Sequence, residues 1–542
     1  MNDSTTARLR ARWLIPLGLF IGATLLVALT SKDYGITWDE PPYFHASDLH
    51  IGWMSIFVAN SVRGELRESL ADQTIQSAWR WNPYNVPHPP FSRIVSGLSQ
   101  LASTPVLDKI SGYRLGPALF FAFLVTLVFR WMDELFGRAA GLFSACAVVV
   151  TPNLFGYAHF AVTDMPLAAM WFATVYCFYK GLSSWRWSFA LGIVWGLAVS
   201  TKFPALLALI PLVVWAHWFY RDKYANNVFA MLFLAPIVMV ATQPYLWHQT
   251  GLRVLEFLYE GISRGYRVET NFGVFFSHQV LYSHQLPWYY PFFLVGVTTP
   301  EPIMILALLG TISLIGKREH RSVITLLLLN GTFILILGAM PGAVLHDGVR
   351  QMLSALPFIA TLAGAGFYVV AASLHCFAQN KPRLWTIENI KAKIYVALFL
   401  VLGFAPVLDL YLSHPYQLSF YNRLVGGIRG AYQRGLETTY FLEALTPDFL
   451  RAMNEKLPRN ASVNASFANI MLAYYQKQGL LRQDLTIINH GSFDYLLLLN
   501  RRSALSARER NLIDSAKRPY LSVSLAGVPL VSAFEFKKSS EK

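Results

Sequence analysis

Long apolar runs separated by short polar breaks dominate the chain. A helix needs about 20 predominantly apolar residues to cross the hydrocarbon core of a bilayer. Runs of that order lie at about 13–30, 115–132, 139–157, 164–182, 187–201, 204–220, 227–246, 295–316, 323–341, 351–374 and 394–412. They make about eleven candidate spans. The run at 187–201 is short, and 289–316 admits a reading as one broken helix.

Three long stretches fall between or after these runs, at about 31–112, 247–290 and 413–542. In the first, Tyr43 to Phe57 mixes polar and apolar residues in a way that suits a helix lying in the membrane interface. The second is rich in aromatics, His and Arg. In the third, Leu445 to Met453 reads as a helix with Thr446 as N-cap and Pro447 in the first turn. Strand-like runs follow at Leu485 to Asn489, Tyr495 to Leu499 and Tyr520 to Phe536, the last broken by a Gly-Val-Pro turn. The fold expected is mainly α: a polytopic membrane helix bundle over 1–412, with a small C-terminal α/β soluble domain over 413–542.

Composition supports this reading. Of 542 residues 54% are hydrophobic and only 14% charged, with a mean hydropathy of +0.39. That is too apolar for a soluble protein of this length. A net charge of +14 would suit a nucleic-acid binder, but the bases fall in short clusters between apolar spans. With the N-terminus in the cytoplasm, Arg138, Lys180, Arg186, Arg221, Lys223, Lys317, Arg318, Arg321, Lys381, Arg383, Lys391 and Lys393 all fall on the inner side. The tail is then periplasmic. Arg8, Arg10 and Arg12 ahead of the first run resemble a signal peptide, but the run is long enough to span and is read as an uncleaved helix. Cys146, Cys177 and Cys376 have neither a disulfide nor a zinc spacing.

On this topology the unusual polar residues gather on the outer face. Asp39 and Glu40 follow span one, within Gly35-Ile36-Thr37-Trp38-Asp39-Glu40-Pro41-Pro42-Tyr43-Phe44. His88 and Arg93 close the first outer stretch, and Tyr113-Arg114 opens the next span. Asp164 opens another, and Lys202 separates two more. Arg264, Tyr266, Arg267, His278 and His284 lie in the second outer stretch, and His346 to Arg350 precede a late span. Ionisable groups at membrane depth are costly and are therefore paired and functional as a rule. Taken singly, each has a plainer role. Arg114, Lys202 and Arg350 could snorkel, Asp164 could cap its helix, and the histidines could be loop residues. Together they outline a pocket in which cations stabilise a phosphate leaving group and a carboxylate deprotonates a hydroxyl. Asp39 is the better base, limited in motion by Trp38 and the Pro-Pro turn, with Glu40 orienting the acceptor or pairing with a cation. Two carboxylates could hold a divalent cation, but no Asp-x-Asp spacing supports one.

Asp39-Glu40 after the first helix, His88-Pro89-Pro90, Thr163-Asp164-Met165-Pro166, Ser200-Thr201-Lys202-Phe203 and His346 to Arg350 occur in that order. With them the chain resembles the GT-C superfamily of membrane glycosyltransferases, especially protein O-mannosyltransferases and lipid A aminoarabinose transferases. The resemblance covers about 10–375, and His414 to Asn422 with Gly426-Gly427 is similar to the post-membrane segment of bacterial members. It implies a polyprenyl-phosphate-linked monosaccharide donor and an inverting transfer with Asp39 as base. The donor phosphate would lie near His88, Lys202 and Arg350, with Arg114 and His346 as further phosphate ligands. Asp164, Tyr43 and Arg267 would shape the sugar or acceptor end. The acceptor would be a protein, a lipid or a glycan, at the outer face of a bacterial inner membrane. Two rivals use the same residues differently: a flippase or binding protein for the lipid-linked sugar, and a surface-polysaccharide ligase.

Overall fold

The computed structural model of the chain describes residues 3–80, 88–263, 272–379 and 390–536. Among them, six helices are long and apolar enough to cross a membrane: Trp13–Asp33, Lys109–Phe136, Ala225–Thr242, Arg318–Ala339, Gly348–Cys376 and Lys393–Ser413. Tyr290–Thr298 and Glu301–Ile315 form a pair bent by 116°, which makes up to seven spans. Arg138–Val149, Trp185–Val199 and Phe203–Phe219 are shorter apolar helices. The chain is a multi-pass membrane protein.

Prolines divide several of the expected runs. The bent pair breaks at Thr299-Pro300, and the 139–157 run splits at Thr151-Pro152 into Arg138–Val149 and Pro152–Tyr157. Proline lacks an N–H and pushes the residue before it out of the helical region. Caps shift other boundaries. The Asp108 side chain accepts from Ser111 N at 3.0 Å and starts its helix at Lys109, so Tyr113 and Arg114 lie inside it. Asp164–Gly181 is buried along nearly all its length and forms the centre of the bundle. Small residues allow helices to touch backbone to backbone. A Cβ on Gly366 would stand 1.9 Å from Leu306 O of the neighbouring helix.

The first long stretch is mostly helical where described, with Glu40–Arg63, Asp72–Trp79 and Phe91–Ser103. In the second, β1 (Val274–Phe276) and β2 (Gln279–Leu281) pair as an antiparallel hairpin. The third carries the helix Pro447–Lys456, whose N-cap Thr446 accepts from Phe449 N as its sequence requires. It also carries β3 (Ser462–Asn464), β4 (Thr486–Ile487), β5 (Tyr495–Leu499), β6 (Leu521–Leu525) and β7 (Val528–Glu535). These five make one mixed sheet in the order β4-β3-β5-β7-β6, with β3 parallel to both neighbours and β6-β7 a hairpin.

The segment after the last span does not stand apart. Asn422 donates from Nδ2 to Gly296 O and Thr299 O (2.7 and 2.8 Å), and its N–H reaches Val297 O at 2.8 Å. It thereby satisfies carbonyls left open at the bend of the helix pair. Ile36 N donates to the Tyr475 hydroxyl at 2.6 Å, which donates to Leu445 O at 2.9 Å. One hydrophobic core runs from the bundle into the sheet.

The tightest join is at Gly35, where a Cβ would stand 2.5 Å from Glu443 O and 2.6 Å from Leu445 O. Backbone oxygens have little room to yield. Gly35→Ala is therefore expected to cost roughly 1–3 kcal/mol or more, as overpacking does, read as a lower unfolding midpoint in detergent.

Candidate active site

Arg114 has five N–H donors, and all five are used inside the protein. Nε and Nη2 reach the two oxygens of Glu40 at 2.8 Å each. Nη1 donates to Ser31 O at 3.0 Å and Tyr34 O at 3.1 Å, and Nη2 also donates to Gly35 O at 2.7 Å. Glu40 accepts in addition from Ala161 N at 3.1 Å and Thr37 N at 2.9 Å. Both side chains are buried. Of the two roles the sequence allowed Glu40, orienting the acceptor or pairing with a cation, the structure has it paired, with Arg114, which was expected to bind the donor phosphate. With no donor or open face left for a substrate, the pair is a frame that folds Ser31 to Glu40 into a fixed turn.

That turn delivers Asp39. Pro41 and Pro42 occupy the first helical turn of Glu40–Arg63, so Asp39 falls at the N-cap. Its carboxylate makes no cap bond; it meets Arg350 Nη2 at 2.5 Å. Arg350 is the hub of the site. Its Nε reaches Asp164 Oδ2 at 2.9 Å and its Nη1 Asp347 Oδ2 at 3.2 Å, while its plane lies over the Phe441 ring at 4.2 Å. Lys202 Nζ holds the other oxygen of Asp164 at 2.7 Å and Gln351 Oε1 at 3.2 Å. Thr163 is the N-cap of its helix, so Asp164 is not spent on capping.

Asp347 takes left-handed backbone (φ 59, ψ 48), as does Gly348 at φ 66. A Cβ at Gly348 would also press on the Tyr440 ring at 3.2 Å. Left-handed backbone is uncommon for a non-glycine residue, although Asp adopts it more readily than most. Here the turn is held by Tyr157, whose hydroxyl donates to Asp347 O at 3.1 Å. It is also held by Arg501, whose Nη2 lies 3.1 Å from Asp347 Oδ1.

The remaining expected residues divide. His346 lies 3.6 Å from Asp347 Oδ2 and belongs to the cluster. His88 reaches it through Tyr43: the two ring centroids are 6.1 Å apart, and Arg93 lies over Tyr43 while donating to His88 O. Burial and the charge of Asp39 push the Tyr43 hydroxyl up to about 12, so it acts as a neutral hydrogen-bonding group. Phe91 N donates to Ser200 O at 2.8 Å, which ties the His88 loop to the Lys202 loop. Arg264, Tyr266 and Arg267 lie outside the described residues. His278 lies in the β1-β2 turn with its N–H on Gly435 O.

Sequence reasoning overlooked Arg501 and Phe441, both from beyond the last span. Arg501 follows a buried strand, and no local pattern announces its partner. Among the described residues no group of three or more His, Cys, Asp or Glu side chains is placed to hold a metal ion.

Residues 91–248 match the family model of dolichyl-phosphate-mannose-protein mannosyltransferases, a stretch that holds Arg114, Asp164 and Lys202. No curated protein matches the chain. Among solved structures, ArnT from Cupriavidus metallidurans in the apo state is 15% identical over 97% of this chain and 98% of its own, with a TM-score of 0.48. The same protein bound to undecaprenyl phosphate gives 15% identity and a TM-score of 0.46, over 96% of this chain and 98% of its own. The Archaeoglobus fulgidus oligosaccharyltransferase in the apo form is 11% identical over 82% of this chain and 58% of its own, with a TM-score of 0.48. TM-scores this low add nothing to the reading of the site. The family match agrees with the motifs: the chain resembles GT-C membrane glycosyltransferases.

Two outcomes follow from the geometry. Glu40→Gln leaves Arg114 buried and uncompensated, which should cost roughly 3–5 kcal/mol; an unchanged unfolding midpoint would show that the frame is dispensable. Burial also pushes the carboxyls of Glu437 and Glu443 up from 4.5 to about 7. The folded state then holds these protons more tightly, so their contribution is full below about 4.5 and is lost as pH rises through about 7. The midpoint in detergent should fall over that window, and Glu437→Gln with Glu443→Gln should flatten the slope.

Proposed function

We propose that the chain is an inverting glycosyltransferase, moving a monosaccharide from a polyprenyl-phosphate carrier to an acceptor hydroxyl at the outer face of a bacterial inner membrane. One observation carries the reading. Of the carboxylates around Arg350, the Asp39 side chain is 32% exposed, whereas those of Asp164 and Asp347 are 1% and 0% exposed. Asp39 is thus the acid a substrate can reach.

In the resting cluster Asp39, Asp164 and Asp347 balance Lys202, Arg350 and Arg501. A phosphodiester therefore enters by exchange. It takes the Arg350 Nη2 face from Asp39, with Lys202 and His88 on its flanks, and frees the Asp39 carboxylate as it binds. The acceptor hydroxyl then attacks the anomeric carbon, and its proton passes to Asp39. The bond from that carbon to the phosphate oxygen breaks with its electron pair on phosphate, and Arg350 and Lys202 neutralise the added charge. Tyr43 and Asp164 bound the sugar end. Arg350 cannot deprotonate in a protein and keeps its charge throughout.

The basic residues Arg138, Lys180, Arg186, Arg221, Lys223, Lys317, Arg318 and Arg321 favour an inner face opposite the site. That assigns 1–412 to the membrane domain and 413–542 to a periplasmic domain. The acceptor is a protein, a lipid or a glycan.

The test is transfer in liposomes with a panel of radiolabelled polyprenyl-phosphate sugars. Wild type should release polyprenyl phosphate together with a labelled product. Asp39→Asn should lose about 10²–10⁴-fold in kcat, the range of a general base, with donor binding retained. Full transfer by Asp39→Asn would overturn the base assignment. Tight donor binding without turnover by wild type would point instead to a binding or transport protein.

A further inference from the structure

Arg501 enters the site from outside the membrane bundle, and its side chain is only 5% exposed. It stands just after β5, on a backbone fixed from both sides. Arg502 N and Ser503 N donate to the Glu437 carboxylate at 2.5 and 3.0 Å, and Asn500 N donates to Leu530 O at 2.8 Å. From there the guanidinium makes three contacts. Nη2 lies 3.1 Å from Asp347 Oδ1, Nη1 donates to Tyr440 O at 3.1 Å, and the plane covers the Trp38 ring at 4.7 Å. Trp38 precedes Asp39, and Asp347 pairs with Arg350. One side chain of the C-terminal sheet therefore touches both turns that carry the site.

We propose that Arg501 is a positioning residue for the transfer, which draws the Asp347 carboxylate partly off Arg350 and clasps the Trp38-Asp39 turn to the Asp347-Arg350 turn. The proposal rests on the glycosyltransferase reading above. Its electrostatic part follows from the charges. Through ion pairs three carboxylates meet three cations with Arg501 in place and two, Lys202 and Arg350, without it, and the buried Glu437 and Glu443 lose the same nearby positive charge. In a buried site that imbalance acts directly on an anionic ligand. The phosphate that displaces Asp39 must then sit on Arg350 next to an Asp347 charge that has lost its second cation. Its steric part follows from the stack on Trp38, which a planar guanidinium makes and an ammonium on a flexible stem does not reproduce.

The experiment compares full-length wild type, Arg501→Gln, Arg501→Lys and Arg501→Gln with Asp347→Asn in liposomes. It reads donor KM, kcat, the Kd for a polyprenyl phosphate alone and the unfolding midpoint. Arg501→Gln should raise donor KM and that Kd at least about 30-fold, the low end of what unpairing a buried charge costs. Adding Asp347→Asn removes the surplus carboxylate and should bring both back toward wild type. Arg501→Lys should keep the Kd within a few-fold and lose mainly kcat. An unchanged Kd in a folded Arg501→Gln protein overturns the proposal. So does an equal loss in the single and double variants alongside a lowered midpoint, which would make Arg501 only a structural tie. If wild type turns over no donor, the transferase reading fails, while the Kd comparison still decides whether Arg501 tunes phosphate binding.

Discussion

Everything at the site depends on the ion pair between Arg114 and Glu40. A guanidinium enclosed among helices must find five acceptors or pay for each one missing. Glu40 supplies two of them, and the carbonyls of Ser31, Tyr34 and Gly35 supply the others. Those carbonyls belong to the turn that leaves the first span, so satisfying the arginine also fixes the path of that turn. The pair sits where the turn, the helix Lys109–Phe136 and the loop at Ala161 meet. Asp39 is placed as a consequence. It is one residue from the frame but makes none of its bonds.

A second constraint is neutrality. Charges this far from water are costly unless balanced, and the hub of Arg350 shows how the balance is struck. Asp39, Asp164 and Asp347 each take one edge of the guanidinium, Lys202 donates to the other oxygen of Asp164, and Arg501 pairs by charge, at 3.1 Å, with the other oxygen of Asp347, which accepts no hydrogen bond. Such a network is stiff, because moving one member leaves another unsatisfied. It has one open edge, at Asp39. Of the three carboxylates on Arg350, only that of Asp39 is open to solvent, so it is the one a ligand can replace without uncovering a fully buried charge.

Close backbone approach then joins the bundle to the chain beyond it. Gly35 lets the first turn lie against Glu443 and Leu445, and Gly348 lets the Asp347 turn lie against Tyr440. The segment between the last span and the sheet is thereby part of the site wall, with Phe441 beneath Arg350 and Arg501 above Trp38.

The sequence by itself determined the class of the protein. Apolar runs long enough to span a membrane, the alternation of turn residues and strand residues in the tail, and the Thr446-Pro447 helix start are local patterns, and local patterns survive any tertiary arrangement. The candidate charges were also legible, because an ionisable residue beside an apolar run is conspicuous on energetic grounds: Asp39, Asp164, Lys202, His346 and Arg350 do meet in one cluster. What only the tertiary structure decided is which charge pairs with which. Arg114 and Lys202 look alike as cations at helix ends, yet one is sealed against Glu40 and the other lines the site. Arg501 gives no local sign of its role, since its partner Asp347 is far away in the chain and is brought near only by the packing of the sheet on the bundle. Pairing energies depend on distance and burial, and neither is written in the order of residues.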